Sequence, residues 1–248
     1  MRTGERNIPD LAVARVSAVL GAFDSRHREL RVSEISRRSG LPKSTTSRLV
    51  ADLVTYGLLD RTGTSLRIGV RLFEFGELAS GRRDLRAVAL PYLTDLREAT
   101  GQSVHLAVLA GVDVVYVEIL HGRAGPRTPS EVGSRIPAHA CASGKALLAF
   151  GVEAAVALVC NQPLRTVGPR TVTAPALLRR QLARIRESGL AYENEESGVG
   201  VASVASAVLH TDGRAVGAVS VSGRTGGLSL RSVGPAVRTA ALSIGREL

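Results

Sequence analysis

The stretch VGVASVASAVLHTDGRAVGAVSVSG, residues 199–223, constrains the fold more than any other part of the chain. Two runs rich in valine, alanine and serine flank Asp212-Gly213, and such a pair between β-prone runs signals a two-residue hairpin turn, because Asp and Gly tolerate the positive φ the turn needs. With that turn, Thr211 faces Arg214, Ala205 faces Ser220 and Ser203 faces Ser222. Side chains alternate between the faces of a strand, so Ser203, Ser220 and Ser222 share one face with Val201, Ala207, Leu209 and Ala218. Three hydroxyls among small apolar residues suit a pocket for a small polar ligand, and equally a plain strand surface.

Upstream, SVHLAVLAGVDVVYVEIL (residues 103–120) alternates and is valine-rich, as two antiparallel strands joined at Ala110 to Asp113 would be. The Gly/Pro-rich residues 121–140 read as a long loop of the kind that covers a site. Helices are expected at 144–151, 153–159, 175–188 and 231–247.

The first part of the chain has a different period. Leu11, Val13, Val16, Val19 and Leu20 stand at helical spacing within residues 9–22. A second helix runs from Val32 to Ser39 with Ser33 as N-cap, Gly40 breaks it, and Leu41-Pro42 starts a third that ends at Gly57. In the third, Leu49, Val50, Leu53, Val54 and Tyr56 form the apolar stripe, which leaves Lys43, Ser44, Thr45, Ser47 and Arg48 facing outward. A helix, a tight turn with glycine and a helix with polar, basic first turns is the helix-turn-helix arrangement. Two short strands around Thr62-Gly63-Thr64 then form a wing carrying Arg61 and Arg67. Helices from Val70 to Ala79 and from Asp84 to Ala99 follow, and the domain boundary is placed near Gly81.

A formal net charge of +10 points to a polyanionic partner, yet residues 1–80 carry 13 Lys and Arg against 9 Asp and Glu, and residues 81–248 carry 19 against 13. Net charge alone therefore locates no face. Within residues 26–71 the balance is 10 against 4, which favours the helix-turn-helix. The N-terminus has no apolar signal core and no stretch is long and apolar enough to span a bilayer, so a soluble cytoplasmic protein without a membrane partner is expected. Cys141 and Cys160 make no zinc-type pair and read as reduced thiols.

Residues 139–150, HACASGKALLAF, invite three chemical readings. A Walker-type loop needs glycine where His139 stands and a hydroxyl where Ala146 stands, so the phosphate-loop reading fails. Cys141 as a nucleophile needs a base, and His139 two residues away is not distinguished by spacing; a small buried cysteine at a helix entry is the plainer reading. The third uses the backbone: the N–H groups of Ala142, Ser143 and Gly144 lead into a helix and would face an anion. Glu193, Glu195 and Glu196 read equally as a solvated loop or an acid/base set. No catalytic set, paired metal spacing or cofactor motif emerges, so an enzyme is not expected.

VSEISRRSGLPKSTTSRLVADLVTYGLLDR with LRIGVRLFEFG resembles the N-terminal half of IclR-type bacterial transcriptional regulators, and PAHACASGKALLAF with the ENEESG-to-SVSG stretch resembles their effector-binding half. The likeness runs from about residue 10 to the end. It implies an α+β chain: a winged helix-turn-helix in residues 1–80 with the start of a linker helix, then a GAF-like antiparallel sheet flanked by helices in residues 81–248 for effector binding and oligomerisation. It further implies a homodimer or dimer of dimers on palindromic double-stranded operator DNA, with a small organic or aromatic acid as effector. Arg37, Arg38, Lys43, Ser44, Thr45, Ser47, Arg48, Arg61 and Arg67 are the DNA-binding candidates. By motif, the Ala142 and Ser143 backbone, with Gly144, would hold a carboxylate, and Glu193, Ser203, Ser220 and Ser222 would surround the rest of the ligand. Ser203 stands where some members have cysteine, and VASAV replaces a stretch that is often AAPV-like.

Overall fold

A computed structural model describes residues 11–24, 26–78, 82–123, 130–227 and 229–248. The chain divides into two compact units, residues 1–80 and 81–248; Gly81 and Ala79 lie outside the described residues.

In the first unit α1 (Ala12–Leu20), α2 (Val32–Ser39) and α3 (Lys43–Thr55) close over Val19, Leu30, Ile35, Val50 and Leu53. The hairpin of β1 (Leu59–Thr62) and β2 (Ser65–Ile68) adds Leu59 and Leu66 to that core. The N-cap of α2 is Arg31, not Ser33. Its backbone is extended, and the Glu34 carboxylate reaches back to accept from the Arg31 N–H at 2.8 Å, so the cap lies two residues upstream of Ser33 while the helix keeps its expected bounds. Pro42 is likewise the N-cap of α3, one place before the first helical turn. The helix α4 (Val70–Glu77) buries none of its residues within this unit.

The second unit is built on six antiparallel strands in the order β5 (Arg135–Pro137), β4 (Asp113–Leu120), β3 (Ser103–Ala110), β8 (Ala215–Arg224), β7 (Val201–Leu209) and β6 (Ala191–Asn194). Against one face lie α5 (Arg82–Thr100) and α9 (Leu230–Glu247), whose Leu85, Leu93, Val237 and Ile244 pack on Val104, Val204, Val208, Val219 and Val221. Against the other lies α6 (Ala142–Ala149), backed by α8 (Pro175–Ser188), with α7 (Glu153–Cys160) beside them. The alternation of valine and alanine explains the layering: the α6 face carries Ala107, Ala205, Ala207 and Ala218, small enough for a helix with all eight residues buried to sit close.

The body of the hairpin has the expected register, with Ser203 opposite Ser222 and Ala205 opposite Ser220. The turn differs. His210 N–H donates to the Arg214 carbonyl at 2.9 Å and Gly213 N–H to the His210 carbonyl at 2.8 Å, so three residues form the loop, with Gly213 at φ 80°. Leu209 consequently pairs with Ala215, and a register shift beyond Val208 restores the pairing of the strand body. Two short edge strands fall where loops were expected. Arg135–Pro137 pairs with Asp113–Val115, its proline at the end of an edge strand where a missing N–H is tolerated, and Ala191–Asn194 pairs with β7. A 3-10 turn, Ala138–Ala140, precedes α6, which starts at Ala142 because Cys141 caps it.

Candidate functional site

On α3, Lys43, Ser44, Ser47 and Arg48 are exposed and Thr45 is half-buried, while Thr46, Val50 and Leu53 turn inward. Thr46 Oγ1 donates to the Pro42 carbonyl at 3.0 Å, fixing the first turn from inside. The helix thus presents one polar, basic face beside the exposed Arg37 of α2. Arg38 differs from the other candidates. Its Nε donates to the Ala22 carbonyl at 2.6 Å and its guanidinium pairs with Asp24, tying α2 to the preceding turn. His27, with further help from Arg38, holds the Asp24 carboxyl down at about 2. In the wing, Arg61 is exposed and Arg67 lies 3.5 Å from Asp60, the residue opposite it on the hairpin.

The α6 face of the sheet opens into a cavity of about 490 Å3. Cross-strand register lays Glu193, Ser203, Ser222 and Ser103 in one row, with His105 and Ser220 in the next. Direct neighbours in such rows stand roughly 4.5–5.5 Å apart. Glu193, Ser203, Ser222, His105 and Tyr116 line the buried part of the cavity, and the exposed Arg135 and Arg165 line it too. Glu193 is 2% exposed; it accepts from Ser203 Oγ at 2.6 Å, Ser197 Oγ at 2.6 Å and Ser197 N–H at 2.9 Å. Burial nevertheless pushes its carboxyl above the ordinary range, the serine hydrogen bonds acting against that shift. His105, also 2% exposed, packs its ring 5.2 Å from that of Tyr116, and its Nδ1 is buried with no hydrogen-bond partner. Burial holds this imidazole down at about 4, so it is neutral at pH 7.

Four residues of the expected site stand elsewhere. Ala142, Ser143 and Gly144 are buried in the first turn of α6 and are not among the residues lining the cavity, nor is Ser220, which accepts a hydrogen bond from Ser143 Oγ at 3.0 Å. Gly144 has no room for a side chain, since a Cβ there would meet the Ala138 carbonyl oxygen at 2.2 Å. Lys145 completes the puzzle of the SGK triplet. It is 1% exposed, and its Nζ donates to the Tyr192 carbonyl at 2.7 Å, to Glu196 at 2.7 Å and to Gln181 at 3.2 Å. The lysine is a buried tie between α6 and the segment after β6, not a phosphate ligand. Neither reading of the acidic trio therefore holds as a whole: Glu193 and Glu196 are buried and bonded, and Glu195 adopts φ 57° while accepting from Gly200 N–H at 2.9 Å.

Cys141 is the α6 N-cap, its sulfur accepting from Gly144 N–H at 3.4 Å, and burial first of all pushes its thiol up to about 12. His139 bonds the Arg165 carbonyl at 3.0 Å instead. A thiol so disfavoured as thiolate is not a nucleophile at neutral pH. Both cysteines are free. Among the described residues no His, Cys, Asp or Glu cluster is placed to hold a metal, and no helix is long and apolar enough to cross a membrane.

Comparison with known proteins matches residues 12–63 to the IclR helix-turn-helix domain and residues 78–246 to the bacterial transcriptional regulator IclR C-terminal domain. The chain belongs to the IclR family of transcriptional regulators. Among its relatives, the HTH-type transcriptional regulator XynR of Escherichia coli K12 is 36% identical over 214 residues, 85% of each chain. The HTH-type transcriptional repressor AllR of Salmonella typhi is 33% identical over 215 residues, 86% of this chain and 79% of that protein. A solved IclR homologue from Microbacterium hydrocarbonoxydans, complexed with 4-hydroxybenzoate, superposes with a TM-score of 0.84 at 32% identity, covering 95% of this chain and 98% of that one. The IclR family comprises regulators, not enzymes, which removes the enzymatic reading of Cys141 and the acidic trio.

Sequence reasoning missed His105, Tyr116, Arg135, Arg165 and Lys145. For His105 a signal existed: it alternates with Ala107 on a strand, but only the β3–β8 pairing puts it beside Ser220.

Proposed function

We propose that this IclR-family regulator reads palindromic operator DNA with the exposed face of α3 and responds to a small organic or aromatic acid bound in the sheet cavity. The observation that carries the DNA half is the clean division of α3, with Lys43, Ser44, Ser47 and Arg48 outward and Thr46, Val50 and Leu53 inward. Lys43 and Arg37 hold phosphates, Ser44, Thr45, Ser47 and Arg48 face the major groove, and Arg61 and Arg67 of the wing touch the adjacent backbone or minor groove. Arg38, tied to Ala22 and Asp24, supports the reading head from behind.

For the effector half, Glu193, Ser203 and Ser222 line a cavity instead of packing dry against a helix, which favours a ligand over a purely structural sheet. The 4-hydroxybenzoate bound by the Microbacterium homologue makes that acid the first probe. Ser143, Gly144 and Ser220 stand outside the lining, where Ser143 bonds Ser220 and the Gly144 N–H is taken by the Cys141 sulfur, so they support the site without touching the acid. A two-fold operator calls for a dimer. Leu11 and Val13 near α1 and Val70, Phe73, Phe75 and Leu78 in and after α4 are exposed, which suits burial against a second copy. An acid alters DNA affinity only if it distinguishes two arrangements of the reading heads. Footprinting of the DNA upstream of the protein's own gene tests the reading: a protected palindrome is expected, and uniform, sequence-independent protection contradicts it.

A further inference from the structure

The lining of the cavity has an uneven chemistry. Its buried part is rich in acceptors. Both Glu193 oxygens already receive hydrogen bonds, Oε1 from two hydroxyls and Oε2 from one backbone N–H, which leaves Oε2 room for one more donor. The hydroxyls of Ser203 and Ser197 are turned toward that carboxylate and are not available as donors. Among the described residues that line the cavity, the cations are Arg135 and Arg165, and both are exposed. Arg135 is partly engaged by the Ala110 carbonyl at 2.9 Å and by Asp113 at 3.4 Å.

Between these extremes stands His105. Its ring lines the cavity, and its Nδ1 is buried without a hydrogen-bond partner, so the imidazole has hydrogen-bonding capacity that the protein leaves unused. A neutral imidazole bonds a hydroxyl in either tautomer, because a hydroxyl both donates and accepts, whereas a carboxylate suits it only as an acceptor. Beside a buried carboxylate, a second negative charge is repelled.

We propose that His105 is a specificity-determining residue that takes a hydroxyl group of the effector, while the effector's carboxylate lies at the arginines of the cavity. This inference rests on the effector reading given above. The cavity thereby selects hydroxylated monoacids over unsubstituted acids and over diacids of the same length.

Calorimetric titration of the full-length protein with 4-hydroxybenzoate, benzoate and terephthalate tests it. Wild type is expected to bind 4-hydroxybenzoate roughly tenfold more tightly than benzoate, the loss of one buried hydrogen bond, and terephthalate more weakly still. His105→Phe keeps a ring against Tyr116 and should bring 4-hydroxybenzoate and benzoate to similar affinity; His105→Gln, the second variant should the first not fold, should keep part of the preference. Arg165→Gln should weaken both monoacids alike. Benzoate or terephthalate binding as tightly as 4-hydroxybenzoate, or a His105→Phe protein that keeps the tenfold ratio, overturns the assignment while leaving the effector reading intact. If none of the three acids binds, the effector reading fails and the assignment with it.

Discussion

On α3 the polar side chains Lys43, Ser44, Ser47 and Arg48 stand in solvent, whereas Glu193 and Ser203 on the sheet and Lys145 on α6 are buried and bonded across α6, β6, β7 and α8. The difference follows from what each region meets. A DNA backbone is a large, hydrated polyanion, so exposed cations on a rigid helix suffice, and most of their energy comes from the partner's counterions. A small molecule offers few contacts, so its site needs polar groups held in place before it arrives. Substitutions in the sheet should therefore act on folding or ligand choice, and substitutions on α3 should act on DNA while leaving stability alone.

The largest effect is expected at Lys145. Replacing it with alanine leaves Glu196 buried and uncompensated, and the loss should be roughly 3–5 kcal/mol in urea denaturation; a loss under about 1 kcal/mol would show that Glu196 reaches water. Next is a pH effect from His105. The unfolded imidazole takes up a proton near pH 6.5 but the buried one only near 4, so the unfolded state binds more protons as pH falls through that window. Stability should drop with a slope approaching 1.4 kcal/mol per pH unit from this group, and His105→Phe should flatten that part of the curve. Arg48→Ala should cost roughly 1–3 kcal/mol of operator affinity and relax one base position while the melting temperature stays put; a wild-type footprint at moderate salt removes Arg48 from the reading set. The smallest effect sharpens the comparison from inside the DNA unit. Arg38→Ala, which loses partly exposed bonds to Ala22 and Asp24, should lower stability by about 1 kcal/mol. A change in operator affinity with stability unaltered would instead make Arg38 a DNA contact.

The helix-turn-helix was legible because its signals are local: Gly40, Pro42 and Gly57 punctuate the helices, and the stripe of Val50 and Leu53 lies within one element. The pairing of Ser203 with Ser222 was legible for the same reason, although the turn itself was misread by one residue because Gly213 serves a three-residue loop. The cavity was legible only in part. Glu193 sits on a four-residue edge strand too short to alternate visibly, and His105 reaches the site through a pairing between strands more than a hundred residues apart in sequence, for which no local pattern exists. Lys145 was hidden by its type, since a lysine 1% exposed is rare and needs partners contributed by three other segments.

If an acid bound in the sheet cavity governs how α3 holds DNA, fluorescence anisotropy on the operator with and without 4-hydroxybenzoate, for wild type and for Ser203→Ala plus Ser222→Ala, reads that coupling. The acid is expected to shift the wild-type operator affinity, and the double variant to bind unliganded operator normally but to have lost most of that shift. Equal shifts in both proteins, or a double variant that no longer binds the operator, would contradict it.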